Sequence, residues 1–66
     1  MNKRELEIAI IRAGLTKNDV IEKSGISRKS FYARLKGKVQ FKQNEIARLK
    51  EILNLTDNDV ISIFFS

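Results

Sequence analysis

The sequence predicts an all-α fold, a compact bundle of five short helices. Three observations predict it. Apolar residues recur at three- and four-residue spacings along most of the chain. Residues that cap helix starts recur as well, with an acid three positions after Asn2, Thr16 and Thr56. The chain has no Pro, and only Ile61 to Phe65 is apolar and β-branched enough to suggest a strand. With 66 residues there is room for one domain, residues 1–66, and one modest core. A chain of this size buries only about 60% of its unfolded surface, so most of the apolar side chains are needed to hold the fold.

The first helix is expected from about Lys3 to Ala13. Asn2 caps it, Glu5 supports the cap, and Gly14 stops it. Leu6, Ile10 and Ala13 form its inward stripe, widened by Ile8 and Ile11. The second runs from about Lys17 to Ser24, with Thr16 and Asp19 as a capping box and Val20 and Ile21 turned inward. Gly25-Ile26-Ser27 interrupts the periodicity for three residues. Gly25 suits a positive φ, and Ser27 suits the cap of the third helix, Arg28 to Lys36. On that helix Phe31 and Leu35 lie four apart on one face, and Gly37 ends it. Lys38 to Phe41 reads as a basic loop anchored by Val39 and Phe41. The fourth helix, Gln43 to Leu53, turns Ile46, Leu49, Ile52 and Leu53 inward but starts poorly, with Lys42 where Ser or Thr would cap. The fifth runs from Asp57 to Phe64 behind a Thr56–Asp59 capping box, with Val60, Ile63 and Phe64 inward.

Composition excludes several functions. There is no Cys and no His, so disulfides and thiolate metal sites are ruled out, and the commonest metal ligand and general base are missing. There is no Gly-rich phosphate loop. No enzymatic activity, metal, cofactor or small-molecule substrate is therefore expected. No apolar run approaches the roughly 18 residues that would suggest a membrane span. The basic start at Lys3 and Arg4 is followed at once by Glu5 and Glu7, unlike a signal peptide. A cytoplasmic, nucleoid-associated protein is expected.

The net charge is +5, and its placement is uneven. Lys23 to Lys50 holds nine Lys/Arg and one acid, a net +8, whereas the rest of the chain nets −3. A basic middle between acidic ends suggests one surface that faces a polyanion. The stretch from about residue 16 to 36 fits that role. Two short helices joined by a tight Gly turn cross at a large angle. The first can brace on a DNA backbone, and the second can put its N-terminal residues at the base edges of the major groove. Ser27, Arg28, Lys29 and Ser30 are all hydrogen-bond donors at that start.

This stretch resembles the helix-turn-helix of the Cro/repressor family, also called the Xre family, and especially its small single-domain phage and prophage members. The resemblance rests on Leu15-Thr16, Gly25-Ile26-Ser27, Ser30-Phe31-Tyr32 and Leu35-Lys36-Gly37. It extends through Glu45-Ile46 to Ile52-Leu53-Asn54-Leu55-Thr56, and so covers nearly the whole chain. Two positions depart from the family pattern: Ile21 stands where a small residue is usual, and Ser24 where an apolar one often precedes the turn glycine.

The resemblance implies a lambda-repressor-like DNA-binding domain that regulates transcription in a bacterium or phage, as a repressor or Cro-like switch on a double-stranded operator. It implies base contacts from Ser27, Arg28, Lys29 and Tyr32. It further implies backbone contacts from Thr16, Lys17, Lys36, Lys38, Gln40, Lys42 and Asn44. Arg34, Arg48 and Lys50 are read instead as ordinary helix-face charges, with Lys50 able to pair with an acid one turn away. For Ile61, Phe64 and Phe65 two roles stay open: a homodimer surface in the region of the fourth and fifth helices, or closure of the core. Two other functions stand beside this one. One is a small helical protein-interaction module, antirepressor or antitoxin-like, with an incidental basic face. The other is non-specific packaging of nucleic acid, which needs only spread charge.

Overall fold

Helices form where their orphan N–H and C=O groups find partners, and in this chain those partners are mostly local side chains. The computed structural model describes residues 1–65. Its elements are α1 (Lys3–Arg12), α2 (Lys17–Ser24), α3 (Arg28–Leu35), α4 (Gln43–Ile52) and α5 (Asp57–Phe64), with no strand among the described residues. Ile61 to Phe64, the one β-prone run, is helical. Each start carries the cap that the sequence supplies. Asn2 Oδ1 accepts the Glu5 N–H at 3.2 Å. Thr16 and Asp19 exchange hydrogen bonds of 3.1 and 2.9 Å, and Thr56 and Asp59 do so at 3.1 and 3.0 Å. Ser27 Oγ accepts the Ser30 N–H at 3.2 Å. At α4 the Lys42 side chain has no acceptor to offer. Glu45 supplies only the return half of the box, accepting the Lys42 N–H at 2.8 Å.

The ends of α3 and α4 follow one pattern. After α3, the Gly37 N–H donates to Arg34 O and the Lys38 N–H to Ala33 O, a Schellman closure with Gly37 left-handed at φ +84°. After α4 the same pair of bonds forms with Asn54 in the glycine position, at φ +53°. Asn tolerates this region better than other L-residues.

α2 ends differently. Gly25 is left-handed at φ +73°, but Ser24 closes the turn. Its hydroxyl donates to Ile21 O and accepts the Ile26 N–H, both at 3.2 Å, although the residue is only 2% exposed. A buried hydroxyl is tolerated when both its donor and its acceptor are engaged. That accounts for a serine before the turn. Arg48 of α4 donates from Nη1 to Ser24 O, at the negative end of α2. One residue pair therefore ties the α2–α3 connection to α4.

The core is where Leu6 of α1, Val20 of α2, Phe31 of α3 and Leu49 of α4 meet, all fully buried, with Ile63 of α5 closing one side. Ile26 of the turn, Leu35, Phe41 and Leu53 complete it. Three ring contacts run through it edge-on: Phe31 with Tyr32 and with Phe41, and Phe41 with Phe64, at centroid distances of 5.8, 6.1 and 5.6 Å. The radius of gyration is 10.4 Å, close to the value of about 10.8 Å for a folded domain of this length.

Several inward assignments need correction. On α1 the buried residues are Leu6, Ala9 and Ile10; Ala13 is exposed and Ile11 is 74% exposed. α1 packs chiefly against α5, so its covered stripe is narrow. Val39 is exposed, and Phe41 alone anchors its loop. Ile21 is half-buried against the core, which accommodates the larger side chain. Phe64 packs on Phe41, while Ile61 and Phe65 are exposed. None of the five helices is long and apolar enough to cross a membrane.

Candidate nucleic-acid interface

The electrostatics of the helix starts single out α3. An α-helix carries the equivalent of about half a positive charge at its N-terminus, and four of these helices place an acid in the first turn to meet it: Glu5, Asp19, Glu45, and Asp57 with Asp59. α3 has none. Its first turn instead carries Arg28 and Lys29, both exposed. Two cations at a helix start are unfavourable by roughly 0.3–1 kcal/mol each. The arrangement leaves a concentrated positive field in the solvent.

The starts of α2 and α3 lie side by side. Arg28 Nη1 donates to Asn18 Oδ1 at 2.6 Å. Of the base-contacting candidates, Ser27, Arg28 and Lys29 are exposed, and Tyr32 is half-buried with its ring edge-on to Phe31. Ser27 Oγ is engaged as an acceptor in capping, and its hydroxyl keeps the capacity to donate.

The backbone-contacting candidates fall into two groups. Thr16 and Lys17 sit at the α2 start. Thr16 is exposed and capping, and Lys17 makes a 2.8 Å ion pair with Glu7 of α1. That hydrogen bond holds the Glu7 carboxyl below its ordinary range and the Lys17 ammonium above its own. Lys36, Lys38, Gln40, Lys42 and Asn44 form the second group, all exposed on the connection from α3 to α4 and the first turn of α4. No acid lies between Lys23 and Asn44.

Two partners of these residues went unnoticed in the sequence: Asn18, which holds Arg28, and Glu7, which holds Lys17. Neither had a local signal, since each partner is ten residues away on another helix. Of the three residues set aside as ordinary helix-face charges, Arg34 and Arg48 are structural, while Lys50 is a partly exposed surface charge. Arg34 is in a buried ion pair with Glu45 at 2.8 Å, with side chains 11% and 10% exposed. Arg48 holds Ser24. Lys50 pairs not one turn away but with Asp57, at the start of the next helix.

Beside the α3–α4 connection lies a shallow groove of about 240 Å³, lined by Met1, Arg34, Gly37, Val39, Gln40, Phe41, Ile46, Phe64 and Phe65. Comparison with protein-family models, with curated proteins and with solved structures returned no match.

Proposed function

We propose that this protein binds double-stranded DNA in a sequence-specific way, using α2, the Gly25–Ser27 turn and α3 as a helix-turn-helix, and that it regulates transcription as a repressor or Cro-like switch in a bacterium or phage. One observation carries the proposal: α3 alone among the five helices lacks an acid in its first turn and carries Arg28 and Lys29 there, exposed. An uncompensated helix start of this kind lowers stability slightly and suits a polyanion. α3 enters the major groove by its N-terminal turn. Arg28 and Lys29 donate to guanine O6 and N7, contacts worth about 1–3 kcal/mol of base discrimination each, while Ser27 and Tyr32 meet base edges or the groove wall. Thr16, Lys17, Lys36, Lys38, Gln40, Lys42 and Asn44 fix the register on phosphates. Two-fold dimers of such modules read half-sites about 34 Å apart. Two touching copies, each 20–27 Å across, are of a size to span that distance. The exposed Ile61 and Phe65 are the residues for such a contact.

The test is selection from a randomised duplex pool at about 150 mM salt, followed by the salt dependence of binding to the winner. An enriched short motif is the expected result, with affinity lost in the Arg28→Ala/Lys29→Ala variant while its helicity stays that of the wild type. Steep salt dependence without enrichment would favour packaging instead. The protein-interaction alternative draws on the apolar groove beside Phe65, and it predicts that the same double variant keeps its function.

A further inference from the structure

The α3–α4 connection is held in an unusual way for a surface loop. Lys36 to Lys42 is seven residues with three exposed lysines and no acid, so mutual repulsion favours an open, mobile loop. Its two ends are instead joined by one carboxylate. Glu45 Oε1 accepts from Arg34 Nε and from the Lys42 N–H, both at 2.8 Å. Arg34 Nη1 reaches back to Ser30 O, one turn up α3, at 3.2 Å. Between these points the Schellman bonds at Gly37 and Lys38 and the buried Phe41 ring fix the path. For stability alone the ion pair is a poor choice. Replacing a buried pair with apolar residues of similar volume is often neutral or favourable, because the desolvation of two charges offsets their attraction. What an apolar pair cannot do is hold the Lys42 amide and set the loop's register against α3.

We infer that Arg34 and Glu45 are positioning residues for phosphate binding, which fix Lys36–Lys42 as a preformed cationic strap beside α3. This rests on the DNA-binding proposal above. A preformed strap engages phosphates without losing loop entropy at the moment of binding.

The experiment compares wild type with Arg34→Met/Glu45→Leu, a double variant of unchanged net charge. Fold is checked by circular dichroism, and both proteins are titrated against the duplex selected by the wild type over a series of salt concentrations. Each phosphate contact contributes about −0.9 to the log–log slope. The double variant is expected to select the same motif but to bind with a slope shallower by about two units. Lys38→Ala is expected to change the slope by about one unit in the wild type and by far less in the double variant. Equal slopes in the folded variant and the wild type, or an equal Lys38→Ala effect in both backgrounds, overturn the inference while leaving the DNA proposal intact. A wild type that enriches no motif overturns both. Should the double variant not fold, hydrogen exchange in the free wild-type protein decides. Lys42 amide protection comparable to that of the α4 interior supports the strap, and exchange at the rate of an unstructured peptide refutes it.

Discussion

Ser24→Ala tests the link between the α2–α3 turn and the rest of the molecule. The substitution removes the oxygen that accepts the Ile26 N–H and the hydroxyl that donates to Ile21 O. Ile26 is itself buried, so its N–H loses its acceptor where water does not easily replace it. An unsatisfied buried group of this kind costs about 1–3 kcal/mol, and the extra apolar contact of the Ala methyl offsets little of it. At about 2.1 cal/mol/K per residue, the entropy of unfolding this chain is roughly 0.14 kcal/mol/K, so a 2 kcal/mol loss lowers Tm by about 14 °C. The assay is thermal unfolding followed by circular dichroism at 222 nm. Arg48→Ala is measured alongside, because Arg48 donates to the carbonyl of the same serine. If both act on one turn, the double variant is expected to depart from additivity by about 0.5–3 kcal/mol. A Tm within about 2 °C of wild type for Ser24→Ala would refute the claim that the hydroxyl closes the turn, and would leave burial alone to explain the position.

Four further outcomes follow from the same structure. Phe31→Ala removes the ring at the centre of the core and two edge-on contacts. The expected loss of about 3–5 kcal/mol is comparable to the whole stability of a domain this small, so a urea titration should find it substantially unfolded at 25 °C. Gly25→Ala is expected to cost about 1–2 kcal/mol from backbone strain alone, because the new Cβ would meet only Arg48 Nη1, at an ordinary 3.6 Å. Asn54→Gly at φ +53° should instead shift the urea midpoint slightly upward with an unchanged m-value. Acid should destabilise the protein. The carboxyls of Asp19 and Asp59 sit below their ordinary 3.8, chiefly because the backbone N–H groups of Thr16 and Thr56 donate to them. A depressed folded-state pKa contributes stability that is complete above the unfolded value and is lost as pH falls through the folded one. The urea midpoint should therefore be flat above about pH 5 and fall below about pH 4, and Asp19→Asn/Asp59→Asn should flatten that fall. A midpoint that rises on acidification would contradict the assignment.

Much of the architecture was legible because its signals are local. Asn2, Thr16, Ser27 and Thr56 each accept an N–H three residues on, and the glycines at 14, 25 and 37 mark ends, so the predicted helix bounds agree with the observed ones to within a residue. The interior was less legible where a residue's fate depends on a distant helix. Periodicity places Ala13 on the same stripe as Leu6 and Ile10, but Ala13 is the exposed C-cap residue, and Ala9 is buried instead. Glu45 stands three residues after a poor cap, with nothing local to mark it for burial. Its burial is set by Arg34, eleven positions away, and Arg48 finds its acceptor twenty-four positions away. The same holds at the candidate interface. Residue type alone identified the donors of α3, whereas Asn18 and Glu7, which restrain Arg28 and Lys17, are neighbours only in three dimensions.

The Asn2 N–H donates to Ile63 O at 2.7 Å, which brings the first and last of the described residues near each other where α1 lies against α5. The backbone is thus nearly a closed ring. A short flexible linker from residue 65 to residue 1 would join them with little rearrangement, and new termini opened at the exposed residues 39–40 would give a circular permutant that keeps all five helices.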